Sequence, residues 1–379
     1  MKLSTLVLAA SSCCTASKVT INSENEFVFN GSKLFLSGAN HAWHWYGFDF
    51  GDGQFAKAPG QAYRDNVDRV ADNGGNVMRV WLHTVGEGPS PKWGAFGSVD
   101  GTDEQNTMID ELKEALDYAE TKNVLIIFCL WDGASKQMTE RLVDLFWDES
   151  KLDSYINNAL VPMATALKTH KALLAWEIVN EPEGVVHNNK VNNDQPCFDT
   201  QKLASSGAGW AEKWIPMKKI LKFIGKQAAA IRRIDGNEAM VTSSTWNHIA
   251  LDYYTDDCLV AASGDSMAKL DFFKLHTYCH GDCLSWPIGS PMRNGKSSFT
   301  VDKPLIMGEF SSACSADNSI DEMYEHFYEN DFDGALGWQL LDEGEGHCSD
   351  GRTVTASGIV HIGSRSDHGQ IAVDLQGSL

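Results

Sequence analysis

The sequence predicts a (β/α)8 barrel that forms a single domain, residues 17–379, with a short N-terminal β-hairpin. Strand-like apolar runs alternate with helix-like segments along the chain, which is typical of a barrel of parallel strands surrounded by helices. No linker rich in Pro or Ser divides the chain, and several apolar runs end in carboxylic, amide or aromatic side chains. Because the active sites of such barrels lie at the carboxyl ends of the strands, we expect a functional site there.

Eight runs of mainly apolar residues are predicted to form the barrel strands. In chain order they are residues 33–40, 76–83, 124–132, 173–180, 240–246, 272–278, 304–310 and 334–341. Helical spacing of apolar residues predicts helices between them. The clearest are residues 61–73, 104–122, 210–233 and 321–330, and helical sequence also extends to about Lys171. No last helix is evident, because the sequence after Gly344 is typical of loops and strands.

The short run Phe27-Val28-Phe29 precedes the first barrel strand and predicts the hairpin. Asn30-Gly31 follows it, and this pair favours a tight hairpin turn because both residues accept a positive φ. We expect the hairpin to cover the bottom of the barrel.

The composition indicates a globular protein with an acidic surface. Hydrophobic residues make up 43% of the chain, charged residues 22%, and the formal net charge is −20. This charge argues against nucleic acid and anionic membranes as partners, and it fits a neutral substrate. After the N-terminus, no stretch approaches the ~20 consecutive apolar residues that a membrane-spanning helix needs.

The N-terminus is typical of a secretory signal peptide. Lys2 supplies a positive charge, residues 3–10 are mostly apolar, and Ala16 is a plausible cleavage point. Residues 1–16 are therefore predicted to be a signal peptide, and the protein is predicted to be secreted.

The chain contains nine cysteines. Two lie in the predicted signal peptide, and Cys129 lies in an apolar run, where a lone cysteine is predicted to be a buried small side chain. The other six predict three disulfides in a secreted protein, although six cysteines allow many pairings. The favoured pairs are Cys279–Cys283 and Cys314–Cys348, and the remaining cysteines are Cys197 and Cys258.

Two glutamates at strand ends are the candidates for catalysis. Glu181 follows Asn180 at the end of the fourth strand, and Glu309 ends the seventh. One such carboxylate alone could be a salt-bridged core residue, but a pair of them indicates glycoside hydrolysis. Neighbouring strands add further polar and aromatic candidates: Arg79, Trp131, His276, Tyr278 and Trp338.

These residues resemble a known family. The chain is similar to glycoside hydrolase family 5, a family of (β/α)8 retaining glycosidases, in Arg79, Asn180-Glu181-Pro182, His276-Thr277-Tyr278, Gly308-Glu309-Phe310 and Gly337-Trp338. The resemblance covers nearly all of the chain after the predicted signal peptide. Within the family, residues 176–184 most resemble endo-β-1,4-mannanases of molluscs and other invertebrates.

The resemblance implies that Glu181 is the general acid/base and Glu309 the nucleophile. Retaining hydrolysis needs two carboxyls about 5–5.5 Å apart. At that separation both cannot easily ionise, so one keeps its proton. Arg79 and Tyr278 would favour ionised Glu309 and leave Glu181 protonated. Asn180 would hydrogen-bond the sugar 2-hydroxyl, a contact that strengthens in the transition state.

The resemblance also implies that His276 orients the catalytic pair and that Trp338 forms the floor of the subsite beside the scissile bond. One position departs from the family, because many members carry His at the end of the third strand, where this chain has Trp131. Trp131 is therefore expected to be a sugar platform in place of a polar contact. His83 is a candidate replacement for the missing imidazole.

Two further tryptophans, Trp246 at a strand end and Trp286 in the following loop, are candidates for the substrate cleft. Indole rings stack on sugars, but Trp is also common in protein cores, and Trp81 and Trp176 are assigned to the core. A zinc site is disfavoured because the spacing of its candidate ligands is irregular: His276, Cys279, His280 and Cys283. No metal and no cofactor are expected.

Together these features predict a secreted, monomeric retaining endo-β-1,4-mannanase that hydrolyses internal bonds of mannan, glucomannan or galactomannan. An endo-β-1,4-glucanase of the same family remains an alternative, because mannan and glucan differ in the orientation of the hydroxyl at carbon 2. A non-catalytic carbohydrate-binding barrel is a second alternative. The presence of both Glu181 and Glu309 argues against it.

Overall fold

The computed structural model describes residues 18–279, 284–341 and 348–377. The predicted signal peptide, residues 1–16, lies outside this part of the chain. Each helix within it is too short or too polar to cross a membrane.

Three short antiparallel strands open the described chain: β1 (Thr20–Ile21), β2 (Phe27–Phe29) and β3 (Ser32–Lys33). The strands β2 and β3 form the predicted hairpin, and its turn residues Asn30 and Gly31 have φ values of 52° and 81°. The Phe27 ring packs edge-on against Phe272, with 5.2 Å between the ring centroids. Phe272 immediately precedes a barrel strand, so the hairpin packs at the amino ends of the strands, as predicted.

Parallel strands form the centre of the fold. They are β4 (Leu36–Ala42), β5 (Val77–Thr84), β8 (Leu125–Asp132), β9 (Leu173–Asn180), β10 (Met240–Thr242), β11 (Ser244–Thr245), β12 (Phe273–His276), β13 (Leu305–Glu309) and β14 (Gly334–Gly337). Their order in the sheet is β10-β9-β8-β5-β4-β14-β13-β12-β11. A separate antiparallel ribbon, β6 (Lys92–Trp93) with β7 (Val99–Gly101), follows β5.

The sheet closes at the fifth predicted strand, which is divided into β10 and β11. Only Ser243 separates the two pieces, and β10 pairs with β9 whereas β11 pairs with β12. The Ser243 hydroxyl donates to the carbonyl oxygen of Val179 at 2.9 Å, so a side chain bridges the break in the ladder. The predicted (β/α)8 barrel is therefore confirmed, with its fifth strand interrupted.

Helices surround the strands. They are α1 (Ala58–Asp72), α2 (Met108–Thr121), α3 (Glu140–Trp147), α4 (Glu149–Tyr155), α5 (Val161–Leu167), α6 (Met217–Arg232), α7 (Asp256–Ser263), α8 (Ile320–Glu329) and α9 (Gly351–Ile362). A π-helical turn, Ile156–Leu160, joins α4 to α5. In α2, the buried residues recur at helical spacing, which is the pattern that predicted this helix: Leu112, Ala115, Leu116 and Ala119.

The last helix shows where the sequence prediction was wrong. The segment after Gly344 was expected to lack a helix, but α9 occupies Gly351–Ile362. Half of its residues are β-branched and it contains two glycines, so its intrinsic helix propensity is low. It is a helix because residues such as Ile359 and Ile362 are buried against α8 and β4. The sixth helix also begins later than predicted, at Met217 directly after Pro216.

Two disulfides are present in the described part of the chain. Cys314–Cys348 was predicted, and Cys197–Cys258 joins the long segment after β9 to α7. The predicted pair Cys279–Cys283 reaches outside the described residues, because Cys283 is not among them. Cys129 is free and buried, as predicted.

Candidate active site

The catalytic candidates meet at the carboxyl ends of the strands. Asn180 is the last residue of β9, and His276 and Glu309 are the last residues of β12 and β13, where they lie opposite each other after a register shift at Leu275/His276. Glu181 follows β9 with φ 40° and ψ 58°, and Pro182 begins a short turn. The chain therefore leaves the barrel at Glu181, which places this carboxyl group at the rim.

One imidazole joins the two carboxylates. Nδ1 of His276 lies 2.7 Å from Oε1 of Glu181 and 3.4 Å from Oε2 of Glu309. This nitrogen and one oxygen of each carboxylate all lie within 4.8 Å of one another. That separation is close to the ~5 Å of retaining glycosidases and shorter than the ~6.5–9.5 Å of inverting ones.

A cation and a hydroxyl group hold the Glu309 carboxylate. Nη1 of Arg79 lies 2.5 Å from Oε1, and the Tyr278 hydroxyl donates to Oε2 at 2.9 Å. Burial raises the pKa of Glu309 above its ordinary value of 4.5, and the charges of Arg79 and Lys274 and the hydrogen bonds from Arg79 and Tyr278 limit this rise. These contacts stabilise Glu309 as an anion.

The charged neighbours of the Glu181 carboxyl are mainly negative. Burial raises its pKa well above the ordinary value of 4.5, and the negative charges of Glu309, Glu183 and Asp132 raise it further. Its side chain remains 12% exposed, so a bound molecule can reach it. A carboxylic acid that keeps its proton near neutral pH can act as a general acid.

Asn180 is held in place by three hydrogen bonds. Its Oδ1 accepts from Nη2 of Arg79 at 2.8 Å and from the Ser244 hydroxyl at 3.2 Å, and its Nδ2 donates to Asp132 at 3.2 Å. Arg79 has no exposed surface. It therefore lies behind Asn180 and Glu309, and its role as a substrate-binding residue stays a prediction.

Aromatic side chains surround the carboxylates. A cavity of about 360 Å³ is lined by Glu181, Trp210, Trp246, Tyr278, Glu309, Trp338 and Cys348. A second cavity of about 300 Å³ shares Trp246 and Tyr278 with it and includes Trp286. A larger cavity of about 580 Å³ lies on the outside of the barrel beside α5 and α6 and holds none of these residues. The structure thus brings Trp246, Trp286 and Trp338 to the site.

Trp131 lies outside the cleft. It has no exposed surface, and its ring packs 4.7 Å from that of His83 and 4.9 Å from that of Tyr155. Both side chains are thus packed inside the protein, and the expectations that Trp131 is a sugar platform and that His83 replaces an imidazole stay predictions. Successive strand residues point to opposite sides. It is Asp132 that faces the site, where it accepts from the Tyr46 hydroxyl at 2.6 Å.

The site contains residues that the sequence analysis missed. Glu177 and Lys274 lie beneath Arg79, and both are charged residues within otherwise apolar strands. Buried strands tolerate such charges only when they are paired, so this pattern was a usable signal. Trp210 gave no comparable signal, because it lies in a long segment between β9 and α6 and reaches the cleft only through the fold.

The contacts of Glu181, His276 and Glu309 include hydrogen bonds and ion pairs within the protein. The three groups are close enough to serve as metal ligands. However, the 2.7 Å contact of His276 with Glu181 is a hydrogen bond, and Oε1 of Glu309 is already bound by Nη1 of Arg79. The alternative zinc cluster includes Cys279, which is disulfide-bonded. Its other ligands, His280 and Cys283, lie outside the described residues.

Comparison with known proteins identifies the family. The family model described as cellulase (glycosyl hydrolase family 5) matches residues 37–344. The chain belongs to glycosyl hydrolase family 5. The barrel and the predicted family resemblance are thereby confirmed.

Relatives within family 5 include invertebrate enzymes. A mannan endo-1,4-beta-mannosidase of Cryptopygus antarcticus is 43% identical over 336 residues, which cover 86% of this chain and 85% of that protein. One of Mytilus edulis is 39% identical over 377 residues, 97% of this chain and 98% of that protein. The crystal structure of an endo-1,4-beta-mannanase from Eisenia fetida superposes with a TM-score of 0.90 at 40% identity, covering 95% of this chain and 100% of that one.

Proposed function

We propose that this chain is a retaining endo-β-1,4-mannanase in which Glu309 is the nucleophile and Glu181 the general acid/base. The observation that carries the chemistry is the contact of both carboxylates with one imidazole, their oxygens within 4.8 Å. The substrate assignment rests on the similarity to proteins named mannan endo-1,4-beta-mannosidase along almost the whole chain.

In the first step, Glu309 attacks the anomeric carbon while Glu181 gives its proton to the leaving oxygen. Arg79 and Tyr278 keep Glu309 ionised before the attack. The raised pKa of Glu181 keeps its proton in place until the glycosidic oxygen accepts it. The products are a glycosyl ester on Glu309 and a shortened chain with a free 4-hydroxyl.

In the second step, water replaces the departed sugar. Loss of its proton makes Glu181 a carboxylate, which then takes a proton from the water as it attacks the anomeric carbon from the opposite face. The ester to Glu309 breaks, and the protonated Glu181 is restored. Two inversions give overall retention, so the first product is the β-anomer.

Substrate recognition is assigned to the aromatic side chains and to Asn180. Trp338 is partly exposed beside the carboxylates and is proposed as the floor of the subsite at the scissile bond. Asn180 lies next to Glu181, where its amide group can bind the 2-hydroxyl. Trp246 and Trp286 are proposed to contact further sugar units, together with Trp210.

An endo-β-1,4-glucanase is the rival function, and the description of the matching family model as cellulase favours it. A non-catalytic carbohydrate-binding barrel is disfavoured, because such a protein has no need for an acid and an anion beside one imidazole. We further propose a secreted monomer with one catalytic domain, residues 17–379. The two disulfides support export to an oxidising compartment.

A substrate comparison tests the proposal. Purified enzyme is incubated with unbranched mannan, glucomannan, galactomannan and carboxymethylcellulose, and reducing ends and chain length are measured over time. We expect rapid chain shortening of the mannans and little release from carboxymethylcellulose, and no release by Glu309→Gln. Activity on carboxymethylcellulose alone would replace the mannanase assignment by the glucanase one.

A further inference from the structure

A line of buried charges lies behind the nucleophile. Nζ of Lys274 is 2.6 Å from Oε2 of Glu177, and the Glu177 carboxylate accepts from Nε and Nη2 of Arg79, each at 2.7 Å. The remaining nitrogen of the guanidinium, Nη1, reaches Glu309 at 2.5 Å. Lys274, Glu177 and Arg79 have no exposed surface, so solvent does not screen these charges.

We propose that Lys274 is a positioning residue for the nucleophile, which acts through Glu177 and Arg79 to keep Glu309 ionised. This inference rests on the proposed role of Glu309. Lys274 lines neither cleft cavity. Its effect must therefore pass through the charge line and not through contact with the sugar.

The charge count explains why a lysine is needed. Glu177 grips Arg79 by two parallel hydrogen bonds, which fix the guanidinium plane but also neutralise its charge. With Glu177 alone, Glu309 would face an ion pair of zero net charge. Lys274 adds a second cation, so the three groups carry a net charge of about +1 that balances the −1 of Glu309.

Gly308 supports the assignment independently. A Cβ at this position would lie 2.1 Å from Cε and 2.5 Å from Cγ of Lys274. The residue before the nucleophile therefore leaves room for the lysine stem.

Charged and titratable groups on four other strands face Lys274. They are Arg79 on β5, Cys129 on β8, Glu177 on β9 and Glu309 on β13. Burial and the charge of Arg79 lower the pKa of Lys274 to about 8, although Glu177 and Cys129 oppose this shift. His276 lies on the same strand as Lys274, and the charge of Lys274 helps to keep that imidazole neutral.

A double-mutant cycle with variants that remove these charges tests the proposal: Lys274→Met, Glu177→Gln and the double variant. The measured quantity is the pH dependence of the inactivation rate by a 2-deoxy-2-fluoro-β-mannobiosyl fluoride, which traps the glycosyl ester. This rate constant reports only folded molecules, so partial unfolding does not distort it. Its acidic limb reports ionisation of the nucleophile in the free enzyme.

Lys274→Met is expected to shift the acidic limb upward by about one pH unit, because one cation near Glu309 is lost. With mannan as substrate, kcat at pH values below the limb should fall about ten-fold, while KM changes little. Adding Glu177→Gln removes the opposing anion and restores a net charge of +1. The limb of the double variant should therefore return toward that of the wild type.

Lys296→Met is the matched control. Lys296 also pairs with a buried carboxylate, Asp333, but at the amino ends of the strands. This variant should lose stability without moving the acidic limb. Should Lys274→Met fail to fold, the double variant is compared with Glu177→Gln, and the limb must lie at higher pH in the double variant.

If wild type and Lys274→Met show the same acidic limb, or Glu177→Gln and the double variant do, the proposed role of Lys274 is wrong. The proposed role is also wrong if the acidic limb of the double variant shifts as far as that of Lys274→Met. The shift would then come from altered packing and not from the lost charge. Mass spectrometry of the trapped wild-type enzyme distinguishes a wrong role of Lys274 from a wrong assignment of the nucleophile. A label at a residue other than Glu309 would refute the nucleophile itself.

Discussion

Nδ1 of His276 lies 2.7 Å from Oε1 of Glu181. Burial lowers the pKa of His276 well below its ordinary value of 6.5, so the imidazole is neutral. It therefore orients Glu181 through a hydrogen bond and does not act as a counter-ion. Among the described residues, Nε2 of His276 has no partner, so the contacts of its ring are directed at the two carboxylates.

The first prediction concerns this contact. His276→Ala should lower kcat about 100-fold, because a misplacement of the acid by about 1 Å has an effect of that size. KM should change much less, since the ring is almost fully buried. His361→Ala, which removes an imidazole on the outer face of α9, serves as the control and should leave both constants unchanged. Similar losses of kcat in both variants would contradict the positioning role.

The second prediction concerns stability and pH. Because the pKa of Glu181 is raised in the folded state, that state holds a proton that the unfolded chain has released above about pH 4.5. The stabilising contribution of the protonated Glu181 is fully present below about pH 4.5 and is lost as the pH rises through the pKa of Glu181 in the folded state. Glu181→Gln is neutral throughout, so its melting temperature should match that of the wild type near pH 4. Near pH 7 the variant should melt at a higher temperature than the wild type. In the wild type, folding costs about 1.4 kcal/mol for each pH unit by which it raises the pKa of Glu181, and glutamine avoids this cost.

Glu149 offers a control of opposite sign. Hydrogen bonds and charges from Lys226 and Lys222 lower its pKa to about 2. Its stabilising contribution is therefore present above the unfolded pKa and is lost as the pH falls toward 2. Glu149→Gln should slightly lower the melting temperature near neutral pH, and the effect should be small because the group is largely solvated. Equal and parallel pH curves for both variants would contradict the raised pKa of Glu181.

The third prediction separates cleft from core tryptophans. Trp210 lines the cavity beside Glu181, and its ring lies 5.5 Å from that of Trp246. Trp210→Ala should raise KM for mannan about three- to ten-fold, as expected for the loss of one aromatic contact, with little change in kcat. Trp131→Phe is the matched control. It should lower the melting temperature and leave KM unchanged, because Trp131 is buried. A raised KM in Trp131→Phe would support its predicted role as a sugar platform.

The barrel and its two glutamates could be predicted because local signals report them. Apolar runs mark the strands, and a carboxylate directly after such a run is carried to the rim, as Glu181 and Glu309 are. The direction of Trp131 could not be predicted, since a register irregularity between β5 and β8 precedes it. The helix α9 was missed for a related reason. Its stability comes from packing on α8 and not from its own sequence.

The environment of the nucleophile was predictable only in part. Arg79 and Tyr278 were assigned to Glu309 through the family resemblance, and the structure places both in contact with it. The charge line behind Arg79 depends on three strands that are far apart in sequence. Lys274 meets Glu177 across 97 residues. A charge in an apolar strand predicts that a partner exists, but no local pattern identifies that partner.

The central claim is the division of roles between the two glutamates, and azide rescue tests it most directly. An aryl β-mannobioside with a good leaving group is offered to Glu309→Ala and to Glu181→Ala in the presence of sodium azide, and the products are identified by NMR. Without a nucleophile, azide attacks the substrate directly, so Glu309→Ala should yield the α-azide. Glu181→Ala still forms the ester on Glu309, and azide then releases the β-azide. A β-azide from Glu309→Ala, or an α-azide from Glu181→Ala, would contradict the account.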